Sequence, residues 1–431
     1  MIDIDALRVG MFVHLDMGWM SHPFPLGSFK ISSAEQVATI RTLGLQRLRW
    51  SPQQSDPAEA PEPEVKAWGL IGEAGMSFAS PVAEAAPPEP TTLTPEAAAR
   101  TEHIRRLGEQ RAALVVCERQ FAEASHACQR LTALVPSQPQ QARAQAEALT
   151  TALLQKMLGE QDLCIRLLSD AAGDKASAHA LNVTIISLLM GRSFGLDADD
   201  MLELGLGAML HDIGKTLLPE RMRHRDEACS ATEARLYEEH VAHGVTLGRK
   251  MGLSAGAMLV IAQHHEHADS SGFPLRLNAD RMTAAARIVS RVNRYDNLCN
   301  PHLPGRALTP HESLSLLFAQ GKNKFDTAIL SGFIKMMGVY PAGSTVQLTD
   351  DRFAMVVGVN SSRPLKPRVL VHEPAVPREE ALVLDLETVL GLGIRRSMKP
   401  LQLPPNTRDY LAPRPRVAYF FEPMGAAPLA A

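Results

Sequence analysis

The run Met209-Leu210-His211-Asp212-Ile213-Gly214-Lys215 decides how this chain is read. An apolar, helix-like stretch, LELGLGAML at 202–210, delivers an adjacent His and Asp and then breaks at Gly214. On a helix, neighbouring residues point about 100° apart. Adjacent ligands therefore share one cation only near a helix end or against a close-packed neighbour, or else they serve two cations. A carboxylate can bridge two cations while an imidazole holds one, so the pair is an economical start for a two-metal site.

A second cluster, Gln263-His264-His265-Glu266-His267-Ala268-Asp269, ends the apolar run AMLVIAQ. Three histidines in four positions need metals or hydrogen-bond partners, because a neutral imidazole must still satisfy both ring nitrogens. A solvated polar turn is the competing reading. His240 (EEHVAHG) lies between the clusters, and His179 (SAHALNVTIISLLMGR) lies upstream. A lone helical histidine is more often a core or surface residue than a ligand. Here, however, His179, His211-Asp212, His240 and His264-His265 each fall on a different expected helix, which is how helical bundles assemble two-metal sites. Imidazole and carboxylate donors suit Fe, Mn or Zn better than Mg or Ca, and the lack of cysteine in the set argues against structural zinc.

These residues resemble the HD-GYP family, a branch of the HD phosphohydrolase superfamily that degrades cyclic di-GMP in bacterial signalling. The family's HDxGK motif is intact at His211–Lys215, and its HHExxDGxGYP motif stands as His264-His265-Glu266-His267-Ala268-Asp269-Ser270-Ser271-Gly272-Phe273-Pro274. The second departs at Ser270, where glycine is expected, and at Phe273, where tyrosine is expected. His240 followed by Gly244 matches the intervening HxxxG. The likeness covers about residues 170–310, and the opening GMFV, HPFP and FKIS resemble an uncharacterised module often found before HD-GYP domains.

The resemblance implies metal ligands at His179, His211, Asp212, His240, His264 and His265, with Asp212 bridging two divalent ions, Fe or Mn. The family's final aspartate falls on Asn293; Asp296, one turn later, is a substitute ligand or a partner behind the ligands. Lys175 stands where some members place a glutamate for a third metal, which favours two. Asp212 and Lys215 are the expected catalytic residues, with Lys215 on a phosphate oxygen. His302 and Arg306 are the nearest stand-ins for the usual phosphate grip, and Arg287, Arg291 and Arg294 read as solvated helix-face charges. Gly272, Phe273 and Pro274 form a GYP-like loop, either a plain turn or a surface for partners. The implied activity is phosphodiester hydrolysis of cyclic di-GMP to linear pGpG, with GMP as a further product. Paired cations would activate water for in-line attack on phosphorus. The departures leave open a non-catalytic cyclic di-GMP receptor or scaffold, and a hydrolase for another nucleotide. Diguanylate cyclase (GGDEF) domain proteins are the partners implied.

The expected architecture is mainly α: a helical-bundle HD-type metal domain with a small N-terminal α+β module and a small C-terminal β-rich appendage. Residues 1–50 read as the module, with a capped helix start at Ser32-Ser33-Ala34-Glu35, the Glu reaching back toward the cap. Residues 51–95 (PAEAPEPE, EAAPPEPTTLTPE) read as a linker that cannot bury enough apolar surface to order itself. Residues 96–169 read as two long helices, a spacer or a dimerising pair compatible with a homodimer. The metal domain spans 170–340, β-rich runs fill 341–400, and a proline-rich irregular tail occupies 401–431. The 431 residues suit two or three units, and a net charge of −3 gives no support to binding DNA or RNA polymers. Five scattered cysteines without a CxxC pair, acids at the N-terminus and no long apolar run predict a cytoplasmic protein without a membrane span.

Overall fold

The computed structural model describes residues 1–17, 28–56, 94–157, 162–169, 174–224, 230–324 and 326–423. The chain divides into two compact units, Met1–Arg105 and Arg106–Ala431. Most of the expected linker, residues 57–93, lies outside the described residues, as do Pro23, Pro25, Gly27 and Cys229.

The first unit is an antiparallel sheet of β1 (Ile2–Asp3), β2 (Phe12–His14), β3 (Ser28–Lys30) and β4 (Arg47–Ser51), in the order β1-β4-β2-β3, with α1 (Ala34–Arg41). Val13, Leu15, Ile31, Val37, Ile40 and Leu48 fill its core. Ser33 caps α1 by accepting the Gln36 amide. The residue that reaches back is Gln36, whose Oε1 accepts from the Ser32 amide at 2.8 Å, rather than Glu35. Gly44, at φ +71°, turns the chain into β4. The module also runs past residue 50. Ser55 Oγ accepts from the Phe12 amide, the Asp56 amide donates to Gly10 O, and Asp56 pairs with Lys30.

α2 (Pro95–Leu134) and α3 (Pro139–Met157) are the two long helices, broken where the prolines predicted. The second does not continue to residue 169. Residues Leu163–Leu167 form strand β5, buried on both faces at the middle of a sheet. A five-residue, largely apolar run looks the same in a buried helix and a buried strand. The tertiary pairing decided it.

The metal domain is built from α4 (Lys175–Ser193), α5 (Ala198–Leu210), α6 (Ala231–Met251), α7 (Ala255–Gln263), α8 (Ala284–Cys299), α9 (Pro310–Lys324) and α10 (Thr327–Met337). Its starts are capped by Asp174, Asp197, Ser230, Ser254 and Thr283, each accepting a backbone amide and each contributing about 1 kcal/mol. Ser230 and Glu233 form a reciprocal box, and Gly252, at φ +74°, ends α6. α4 is apolar nearly all round, so it is the central helix, packed on α3, α5, α8 and α10. α5 lies against α3, α4, α7 and α8; α6 lies against α7 and the short turn Ile213–Leu217.

The C-terminal sheet comprises β6 (Thr345–Leu348), β7 (Phe353–Asn360), β8 (Arg368–Val371), β9 (Val383–Asp385) and β10 (Ile394–Met398), joined by β5. The stretch after residue 400 is not simply an irregular tail. α11 (Pro405–Leu411) precedes β11 (Tyr419–Pro423), which pairs with β5 in register Tyr419↔Leu167 to Pro423↔Leu163. Buried Tyr419, Phe420 and Phe421 explain why. Three consecutive aromatics are costly to leave in water, each worth about 2 kcal/mol or more when buried. No helix among the described residues is long and apolar enough to cross a membrane.

Candidate metal centre

The turn carrying His211-Asp212 is pressed against α6 by two glycines. A Cβ on Gly214 would collide with the His240 carbonyl and the Gly244 amide, so only glycine lets these backbones meet. That approach is the physical content of the HDxGK and HxxxG motifs: it brings His211-Asp212 beside His240.

Around Asp212 the imidazoles fall into two sets. Asp212 Oδ2 lies 3.6 Å from His179 Nε2 and 3.4 Å from His211 Nε2. Asp212 Oδ1 lies 3.6 Å from both His240 Nε2 and His264 Nε2. His179, His211 and Asp212 form one potential cation site; Asp212, His240, His264 and His265 form a second. One carboxylate is common to both, with one oxygen turned toward each set.

The outer nitrogens are fixed by partners. His211 Nδ1 donates to Ala208 O at 2.7 Å, His240 Nδ1 to Tyr237 O at 2.5 Å, and His264 Nδ1 to Ile261 O at 2.8 Å. His179 Nδ1 meets the buried Asp296 carboxylate at 2.6 Å. With those protons committed outward, each neutral ring presents a lone pair inward. His179 Nε2 and His211 Nε2 then face each other at 3.2 Å, and His240 Nε2 faces His264 Nε2 at 3.3 Å. Facing lone pairs repel unless a cation or a proton joins them. Burial disfavours the proton, pushing His211 down to about 4, His240 to about 3 and His265 well below its ordinary value. Asp212 Oδ1 and His265 Nε2 are buried without hydrogen bonds. These donors suit divalent cations.

Asp296 is held behind His179, accepting from Asn182 Nδ2 at 2.8 Å and Asn300 Nδ2 at 2.9 Å. Both amides also donate to Val417 O, and the Tyr419 amide donates to Asn182 Oδ1. The C-terminal segment thus braces His179 through Asp296. Asn293 lines the adjoining cleft, and its Oδ1 accepts from Asn297 Nδ2 at 2.6 Å.

Lys215 Nζ donates to Asp212 Oδ2 at 2.6 Å. Burial alone would lower its pKa; the Asp212 charge and the Tyr237 phenol overcome that and hold the ammonium above its usual value. Burial likewise opposes the Asp212 charge, but Lys215 and the imidazoles keep the carboxyl well below the usual range. A cleft of about 1410 Å³ opens beside His264 and His265, lined by Lys215, Tyr237, Phe273, Arg294, His302 and Arg306. A second cavity of about 650 Å³ reaches His179 and Asp212 past Lys175 and His224. His224 stacks on His302, ring centroids 4.1 Å apart, where the two cavities meet.

The loop after His265 is shaped by Glu266, fully buried, whose two oxygens accept the Leu275 and Leu277 amides at 2.6 and 2.7 Å. Gly272 is required there, because a Cβ would sit 2.5 Å from backbone atoms of His265, Glu266 and His267. Phe273 stacks on His265 at 4.4 Å, and Pro274 follows it. His267 is turned to Ser271. Of the three arginines expected to be solvated, Arg294 is exposed, Arg287 is half-buried and pairs with Asp326, and Arg291 is fully buried. Arg291 falls on the inward stripe of α8, between buried Ile288 and Tyr295, which a charge-based reading overlooks.

Residues 162–329 match the HD domain family, and residues 1–146 match a domain of unknown function, DUF3391. The two-set histidine cluster sits inside the first match. This match, together with the similarity to the phosphodiesterases below, supports an HD-GYP-type protein. Cyclic di-GMP phosphodiesterase PA4108 of Pseudomonas aeruginosa is 26% identical over 383 residues, covering 86% of this chain and 84% of that protein. Cyclic di-GMP phosphodiesterase PdeB of Borreliella burgdorferi is 23% identical, covering 44% of this chain and 50% of that one. A 3′3′-cGAMP-specific phosphodiesterase 2 of Vibrio cholerae is 28% identical, covering 30% and 25%. Tyr237, Glu266, Asn182 and the 417–419 segment are parts of this site that the motifs alone do not announce. Glu266 carried a signal as a charge inside an otherwise ligand-bearing motif; the others carried none.

Proposed function

We propose that this protein is a metal-dependent phosphodiesterase that hydrolyses cyclic di-GMP. The observation that carries the reading is Asp212, with one oxygen toward His179 and His211 and the other toward His240 and His264, beside a cleft roomy enough for a dinucleotide. His179, His211 and Asp212 would hold one cation, and Asp212, His240, His264 and His265 the other. Iron or manganese suits this donor set. When bound, such a pair supplies Lewis acidity and an activated water nucleophile.

The chain's own residues do the rest. Asp212 orients both halves of the site. Lys215 neutralises charge on a non-bridging phosphate oxygen. His302 and Arg306, at the cleft wall, hold the phosphate that is not cut. Phe273 and His265 offer stacked rings at the floor, where a guanine can lie. The product is linear pGpG, with GMP after a second cut, and proteins making cyclic di-GMP are the natural partners. The substrate choice is supported by the names of the two cyclic di-GMP relatives; the cGAMP relative makes a hybrid dinucleotide the alternative.

Turnover of cyclic di-GMP and 3′3′-cGAMP by protein loaded with Fe(II) or Mn(II) tests the proposal. Hydrolysis of cyclic di-GMP in preference to the hybrid is expected. Tight binding of cyclic di-GMP without hydrolysis under both metals would make this chain a receptor instead.

A further inference from the structure

Tyr237 stands one turn before His240 on α6, 7% exposed, and lines the large cleft. The Lys215 ammonium lies 5.3 Å from its ring centroid, within cation–π range. The same ring touches His240 at 4.8 Å, His265 at 6.1 Å and Phe273 at 6.4 Å, centroid to centroid. One side chain therefore joins Lys215 to the second imidazole set and to the GYP-like loop.

A conflict at Asp212 gives this contact its purpose. Oδ2 is the oxygen that faces His179 and His211, and it is also the oxygen that Lys215 holds at 2.6 Å. A cation on that oxygen would repel the ammonium and take its anion. Lys215 must then be anchored by something else or wander from the cleft, since a four-carbon stem loses about 2 kcal/mol of rotamer entropy when held. The aromatic face is neutral, already packed and on the cleft side.

We propose that Tyr237 is a positioning residue that holds Lys215 at the cleft once Asp212 serves metal. This rests on the phosphodiesterase reading of the site. The His240 Nδ1 bond is to the Tyr237 backbone carbonyl, so a side-chain substitution leaves the imidazole anchor in place.

The test compares Tyr237→Leu, Tyr237→Phe, Lys215→Met and the Tyr237→Leu/Lys215→Met pair as manganese-loaded protein. Three readouts are taken: metal content, kcat and KM for cyclic di-GMP, and the affinity of its non-hydrolysable phosphorothioate. With the ring gone, kcat should fall about thirtyfold, the size of a desolvated cation–π contact of about 2 kcal/mol. Metal content should remain that of the wild type, and phosphorothioate affinity should drop in parallel with the Lys215→Met variant. Tyr237→Phe, which keeps the ring, should recover most of the loss. In the Lys215→Met background, Tyr237→Leu should change nothing further, because both act through one contact. Additive losses, or a Tyr237→Leu variant that sheds metal, would overturn the proposal in favour of a merely structural ring. If no variant and no wild type turns over cyclic di-GMP, the phosphodiesterase reading fails. The phosphorothioate affinities then decide the Tyr237 proposal: equal, non-additive losses support it, and independent losses refute it.

Discussion

Gly272→Ala is a clean perturbation of the second imidazole set. Gly272 does not sit at positive φ, so alanine brings no backbone strain, only volume. Its Cβ would lie 2.5 Å from Glu266 Cα, His265 O and His267 N, against the 3.0 Å below which real Cβ atoms are essentially never found. Every obstructing atom is backbone, so no side chain can swing aside. The loop cannot retreat freely either, because Glu266 ties it down at Leu275 and Leu277. The His265–His267 backbone must therefore yield by roughly half an ångström, more than the 0.2 Å tolerance of a metal–ligand bond. Overpacking of this kind costs about 1–3 kcal/mol. Since a misplacement of about 1 Å can cost about a hundredfold in rate, half of it should cost about tenfold. Gly108→Ala, where nothing lies within 4 Å, is the control and should be neutral or stabilising. Metal content, turnover and denaturant midpoint are measured on both. A Gly272→Ala protein with wild-type stability, metal content and turnover would refute the steric account of this loop.

Asp296→Ala should loosen His179 and weaken the His179/His211 cation about 10–100-fold while the other is retained, read by chelator titration; equal loss of both would contradict two separable sites. Stability of the metal-free protein should fall with acid. His211 and His240 are neutral in both folded and unfolded chains above pH 6.5, so they contribute no pH dependence there. Below 6.5 the unfolded chain takes up protons that the folded chain refuses until about pH 4 at His211 and 3 at His240. His211 alone should cost about 3 kcal/mol between pH 6.5 and 4. Urea midpoints that stay flat from pH 7 to 4.5 would show that these rings are not buried neutral.

The positions of His211-Asp212 and His264-His265 were legible because each pair follows an apolar helical run, LELGLGAML before His211 and AMLVIAQ before His264, whereas His179 and His240 were picked out through the motif resemblance. The glycine pairing of Gly214 with Gly244 was written in the motifs but became physical only with both backbones in place. The supports behind the ligands were not legible. Asn300 and Val417 are 117 residues apart, and no local pattern announces that a strand after a proline-rich stretch returns to brace Asp296. β5 was misread because LCIRL has no period to distinguish it. Arg291 was misplaced because its charge outweighed its position on the buried stripe of α8. Asp296 was readable only as one of two alternatives, and the structure gives it a 2.6 Å bond to His179 Nδ1.

The claim at the centre of this account is that Asp212 joins two cations. Metal content per chain, measured after purification without oxygen, tests it most directly when wild type and Asp212→Ala are compared. The account predicts two divalent ions in the wild type and loss of both, with turnover, in Asp212→Ala. A variant that keeps two ions and still hydrolyses cyclic di-GMP would contradict it.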